Sequence, residues 1–219
     1  MRTRGRRDSP GRLDIARYSH PVTTTRDAYT ARAGEYTDVL GSMSAVHPSD
    51  RRLVEAWART VSGPVVDAGC GPGHWTDHLR RLRLTVRGID PVPAFVAHAR
   101  TTYPAARFDL GDMEDLPSDA ELGGILSWFS TIHHAPGDIH RPLTAFARAL
   151  RPGGTLVLGF FSAAVVEPFD HAVVRAHRWP PQELRARLDA AGFCVRQTSL
   201  RHVPGERPVG ALVCERRVV

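Results

Sequence analysis

The chain contains no lysine: all 29 of its basic residues are arginine. A coding bias produces that pattern as readily as phosphate recognition does, so it does not mark a nucleic-acid binder by itself. Cysteine is scarce. Cys70, Cys194 and Cys214 show no CxxC spacing, which argues against a zinc knuckle or a disulfide framework and accords with a reducing cytoplasm. Long apolar runs are missing too. The longest, Thr155 to Val166, falls short of the roughly 20 residues that a membrane-spanning helix requires. No apolar segment follows the arginine-rich start, so no secretory signal is expected. No internal repeat is visible.

What is present suits a single folded domain. Of 219 residues, 42% are hydrophobic and 24% charged, enough for one substantial core. The net charge of +6 is unevenly placed. The first 17 residues hold six arginines against Asp8 and Asp14, which leaves only two excess charges for the remainder. Residues 1–25 read as a flexible basic tail and residues 26–219 as one domain, its first part (26–62) a helical cap. Tyr29 and Tyr36 in that cap either cover a ligand or staple its first helix. Ser49 is the expected N-cap of the helix carrying Leu53, Val54 and Trp57.

Strand and helix patterns then alternate. Val65–Ala68, Leu84–Ile89, Ala106–Leu110, Leu122–Phe129 and Thr155–Phe161 read as strands. Helical faces lie between them, and Phe193–Leu200 with Val209–Arg216 form a final antiparallel pair. This order predicts an α/β, doubly wound, mostly parallel sheet with helices on both faces. Ligands in such sheets bind beyond the carboxyl ends of the strands. Asp67, Asp90, Asp112 and the stretch from Ser127 to His134 stand at those ends.

The loop after the first strand carries Gly69, Gly71 and Gly73 ahead of a helix. This is the strand–loop–helix context in which glycines let a ligand approach the backbone. A dinucleotide fingerprint requires its third glycine at position 74, which is His74. Asp67 ahead of the loop suits a positively charged ligand better than a pyrophosphate. Asp90 ends the second strand, where an acid accepts from both hydroxyls of a ribose. Together they point to a nucleoside with a cationic amino-acid tail.

Five segments in this order resemble the class I S-adenosylmethionine-dependent methyltransferases, specifically the type 11 small-molecule group. They are Val65–Gly73, Gly88–Pro91, Gly111–Pro117, Ser127–Ser130 and Leu150–Leu156. The resemblance spans roughly residues 26–217. It implies a Rossmann-like sheet of seven strands with the last antiparallel. It also implies S-adenosylmethionine as cofactor, S-adenosylhomocysteine as product, and methyl transfer to a small acceptor. The implied cofactor set is Asp67, Gly69, Gly71, Gly73, Asp90, Pro91, Asp112, Met113 and Phe129. Asp112 would accept from the adenine amino group, and Met113 would pack near the ring. The segment 162–179, which often covers the substrate in related proteins, holds His171 and His177.

His133 and His134 follow the fourth strand, and either is a candidate general base, with His134 slightly preferred. No histidine pair has the spacing of a metal site on a convincing helix, so no metal is expected. Trp128, Phe129, Phe160, Phe161, Phe169 and Trp179 are candidate acceptor walls. Motifs typical of nucleic-acid methyltransferases are absent, which weighs against RNA as substrate. The alternatives are an RNA methyltransferase, a non-catalytic cofactor-binding module, and an NAD-dependent oxidoreductase. The oligomeric state is not legible.

Overall fold

The strand Val65–Ala68 (β1) has every residue buried, as its continuous apolar run requires of a parallel strand covered on both faces. The computed structural model describes residues 41–171 and 175–218, together with Thr37. The basic tail, Tyr29 and Tyr36 lie outside the described residues. Parallel to β1 run Val86–Asp90 (β2) on one side and Leu122–Trp128 (β4) on the other. Arg107–Leu110 (β3) extends beyond β2, and Leu150–Ser162 (β5) beyond β4. Val209–Arg216 (β9) pairs antiparallel with β5, and Phe193–Arg201 (β8) pairs antiparallel with β9. These seven strands form the expected sheet, in the order β3-β2-β1-β4-β5-β9-β8.

Two more strands bring the sheet to nine. Glu167–Asp170 (β6) and Arg175–Trp179 (β7) pair antiparallel, and β7 pairs parallel with the C-terminal end of β5 at Phe161 and Ser162. Within the segment 162–179 the described residues thus include two sheet strands, which the sequence did not mark. Pro168 and two acids give β6 poor strand propensity. Tertiary packing compensates, because Phe169 and Ala176 bury themselves against Ile132.

Pro48–Ala58 (α1) and His74–Arg81 (α2) pack Val54, Trp57, Trp75 and Leu79 against one face of the sheet. His140–Ala149 (α4) and Pro181–Ala190 (α5) pack Leu143, Phe146, Leu184 and Leu188 against the other. Pro93–Thr102 (α3) lies over β2 and β3, burying Val96 and Ala99 with Phe108. Helix α1 begins earlier than its expected Ser49 cap. Pro48, with its fixed φ, takes the first helical position, and the His47 side chain accepts the Ser49 N–H at 3.2 Å. Among the described residues no helix is long and apolar enough to cross a membrane.

Candidate functional site

The strand order turns at β1 and β4, and a cleft of about 630 Å³ opens above their C-terminal ends. Its floor is the loop between β1 and α2. Gly69, Gly71 and Gly73 have φ of +74°, +53° and +91°, values that side chains rarely adopt. The loop is pinned to β2, since the Gly69 and Cys70 N–H groups both donate to the Ile89 carbonyl, at 2.8 and 3.0 Å.

The three glycines have different surroundings. A Cβ on Gly69 would stand 2.3 Å from that of Ser130, so this glycine lets the β4 loop close over β1. A Cβ on Gly73 would meet the Phe108 ring and Ala99 within 2.8 Å. Gly73 is a packing residue between helix and sheet and does not line the cleft. Gly71 lines the cleft, and a Cβ there would meet no protein atom within 4 Å. It is the point where the backbone is bare toward a ligand.

Asp90 closes the far end of the loop. One carboxylate oxygen accepts the Gly71 N–H at 2.8 Å and the other the Val92 N–H at 2.9 Å. Each oxygen keeps a further lone pair for hydroxyl donors from the cleft. Burial, with the nearby Asp112 charge adding to it, pushes the Asp90 carboxyl up to about 6 against its backbone hydrogen bonds.

Asp67 lies behind the loop, not on the cleft surface. It is buried and accepts the Thr76 hydroxyl at 2.7 Å. Burial above all, and then the Asp90 charge, pushes it up to about 7. The sequence places Asp67 against the ligand; the structure makes it a buried carboxyl behind the glycines.

The raised value has a sign in stability. A carboxyl that binds its proton more tightly when folded favours the folded state at low pH, and this contribution fades as pH rises from about 4 through 7. Burial lowers His74 and His133 to about 4, which acts in the opposite direction below pH 6.5. Comparison with a variant isolates the Asp67 effect. Asp67→Asn, which still accepts from Thr76, gains melting temperature relative to the wild type between pH 5 and pH 8. A constant offset across that range, read by circular dichroism, contradicts the assignment.

The opposite wall of the cleft comes from β2, β3 and the turn after β3. Asp112 lines it and caps the short turn Met113–Asp115, one oxygen accepting the Glu114 N–H at 3.0 Å. Pro91 and Met113 line it as expected, and Val92 joins them. Gly111, which opens the Gly111–Pro117 segment, also belongs to it, as do Phe95 and Leu110, two positions for which the sequence carries no signal beyond ordinary core or loop character.

The end of β4 supplies the third side. Phe129 adopts φ +55°, a conformation costing on the order of 1–3 kcal/mol for a non-glycine residue. Ser130 fixes this turn, its hydroxyl reaching the Ala68 carbonyl at 2.6 Å and Ser127 at 2.8 Å. Trp128 and Phe129 line the cleft. The other proposed acceptor walls do not. Phe160, Phe169 and Trp179 are buried in the core, and Phe161 packs against Phe129 with its ring tilted, 5.0 Å between ring centroids.

Both histidines of the pair line the cleft, with different surroundings. His134 places Nδ1 3.2 Å from the Thr131 carbonyl and Nε2 3.2 Å from Glu114. Both ring nitrogens of His134 thus already have protein neighbours. Glu114 is in turn held by Arg141 at 2.8 Å. His133 donates Nδ1–H to the Arg175 carbonyl of β7 at 3.0 Å, which places the ring's basic lone pair on Nε2. Burial keeps this imidazole neutral at neutral pH. His171 lies beside His133, ring centroids 5.6 Å apart. Among the described residues no group of three or more histidine, cysteine or acidic side chains could hold a metal ion.

Residues 65–154 match a family model described as a methyltransferase domain. A malonyl-[acyl-carrier protein] O-methyltransferase of Yersinia pestis is 27% identical over 161 residues, covering 69% of this chain and 57% of that protein. A trans-aconitate 2-methyltransferase of Methylobacterium nodulans is 34% identical over 134 residues, covering 58% of this chain and 48% of its own. The chain spans about half the length of the curated relatives it matches. The Burkholderia thailandensis 1,6-didemethyltoxoflavin-N1-methyltransferase, solved with its substrate and S-adenosylhomocysteine, superposes with a TM-score of 0.73. That likeness covers 88% of this chain and 87% of the other at 19% identity, and is one of fold.

Proposed function

We propose that the chain is a class I S-adenosylmethionine-dependent methyltransferase, as the methyltransferase-domain match over residues 65–154 suggests, and that it transfers a methyl group from that cofactor to a small-molecule acceptor. The observation that carries this reading is the pairing of Gly71 with Asp90 at the floor of the cleft. It combines a bare stretch of backbone with a buried acid whose oxygens are already oriented by two N–H groups. The residues fit the cofactor. Asp90 would accept from the ribose hydroxyls, and Gly71 would underlie the amino-acid arm. Val92 and Met113 would enclose the adenine, with Asp112 accepting from its amino group. Asp67, behind the glycines, would favour a cationic ligand through its field. When bound, the cofactor supplies a methyl group made electrophilic by its sulfonium.

The protein's own part is orientation. Alignment of two reactants supplies roughly 7–11 kcal/mol in favourable systems. Trp128 and Phe129, fixed by the Ser130 hydrogen bonds, would confine the acceptor and exclude water. His133, which lines the cleft beside Phe129, would orient the acceptor there. Its low basicity limits it as a proton acceptor, since general bases work best near the operating pH. His134 would hold Glu114 and the turn beneath the cleft.

The test is turnover of methyl-labelled cofactor with a fractionated metabolite extract. Label should enter a small molecule. Label confined to RNA, or no transfer despite cofactor binding, sinks the reading in favour of an RNA enzyme or a non-catalytic module. Once an acceptor is known, His133→Ala should lower kcat by about tenfold, the scale of one orienting interaction, and leave the affinity for S-adenosylhomocysteine within threefold. His134→Ala should cost less in kcat and more in thermal stability.

A further inference from the structure

Trp128 and Phe129 have a second hollow on their other side. It measures about 590 Å³ and is walled by the first turn of α1 and by the ends of β8 and β9. Both residues line both spaces, so the hollow adjoins the cleft at Trp128 and Phe129. The volume falls in the range of small-ligand pockets, roughly 300–1,000 Å³.

The polar groups of the hollow differ from those of the cleft. Arg201 bridges Asp50 at 2.7 Å and Glu206 at 3.2 Å. Asp50 also accepts from the Ser49 hydroxyl at 3.3 Å, so the one carboxylate in the wall is already matched. The Arg201 Nε–H is buried without a partner. Arg52, one turn into α1, lines the same hollow and pairs with no carboxylate among the described residues. The wall thus offers an aromatic surface at one end and an unneutralised guanidinium at its exposed rim. A guanidinium presents a planar fork of donors that matches a carboxylate.

We propose that this hollow holds the distal arm of the acceptor, that the acceptor is an organic acid with an apolar body, and that Arg52 selects it by its carboxylate. This rests on the methyl-transfer reading for the identity of the neighbouring site, and not for its own test. The apolar body lies against Trp128 and Phe129, which brings the acceptor's other end to the cleft. Arg52 is a specificity residue, since nothing places it near the reacting atoms.

The probes are ω-phenylalkanoates of three, five and seven chain carbons, each compared with its carboxamide. Binding to the full chain is read by ligand-observed NMR, with and without S-adenosylhomocysteine. At least one acid should bind about tenfold more tightly than its amide, the scale of one charge-assisted hydrogen-bonded pair. Arg52→Ala and Arg52→Gln should bring that preference below twofold, and Arg52→Lys should keep part of it. Arg52 is exposed and unpaired, so these variants should fold, with melting temperature as the check. Equal binding of every acid and its amide, no binding of any acid, or a preference that survives Arg52→Ala overturns the proposal. S-adenosylhomocysteine affinity is measured on the same samples and should be unchanged by the Arg52 variants. Its absence would count against the methyltransferase reading alone.

Discussion

Asp90→Ala should bind S-adenosylhomocysteine at least a hundredfold more weakly than the wild type in calorimetry. Two losses combine. The ribose hydroxyls lose their acceptor, and charge-assisted hydrogen bonds of this kind contribute roughly 1.5–3 kcal/mol each. The Gly71 and Val92 N–H groups also lose the oxygens that position them. A buried donor left unpaired costs about 1–3 kcal/mol, so the variant should melt several degrees lower as well. Asp90→Asn separates shape from charge. Its amide has one oxygen for two backbone donors, and its NH2 must face one of them. Binding should therefore fall at least tenfold although the side-chain volume is kept. Wild-type affinity in either variant contradicts the placement of the ribose.

The second large effect is a contrast between two glycines two residues apart. Gly71→Ala adds a methyl group where no protein atom stands within 4 Å. Its cost to the fold is the left-handed backbone alone, about 1–2 kcal/mol. That methyl projects into the space assigned to the ligand, so affinity for S-adenosylhomocysteine should fall more than thirtyfold. Gly73→Ala behaves in the opposite way. Its methyl enters the Phe108 ring and Ala99, adding an overpacking cost of about 1–3 kcal/mol to the backbone strain. The melting temperature should drop by about 5–15 °C, at 2–4 °C per kcal/mol for a chain of this size. Residual folded protein should bind the ligand nearly as the wild type does. If Gly73→Ala loses binding while keeping its melting temperature, the assignment of the two glycines is reversed.

The cleft was legible because its parts are local. The glycine loop and the acids at the ends of β1, β2 and β3 fall at strand ends that apolar patterning marks, and the topology of parallel sheets brings those ends together. Other features depend on pairings between distant segments. The hairpin β6–β7 exists because Phe169 and Ala176 find Ile132, whereas its own residues favour a loop. Asp67 and Gly73 carry the signature of ligand contacts, yet Thr76 and Phe108 hold them behind the surface. The difference between His133 and His134 lies in their partners, Arg175 and Glu114, which come from 42 and 20 residues away. The hollow beside Arg52 joins α1 to β8, two elements that no short motif connects. The cap of α1 was missed for a smaller reason: Pro48 at the first helical position and His47 as acceptor form a less common pair than a serine cap.

A crystal of the unmodified chain soaked with S-adenosylhomocysteine puts the whole reading to one test. The nucleoside should fill the space above Gly71, with both sugar hydroxyls within hydrogen-bond distance of Asp90 and the adenine between Val92 and Met113. A crevice without ligand at saturating concentration, or a ligand whose sugar lies away from Asp90, would contradict it.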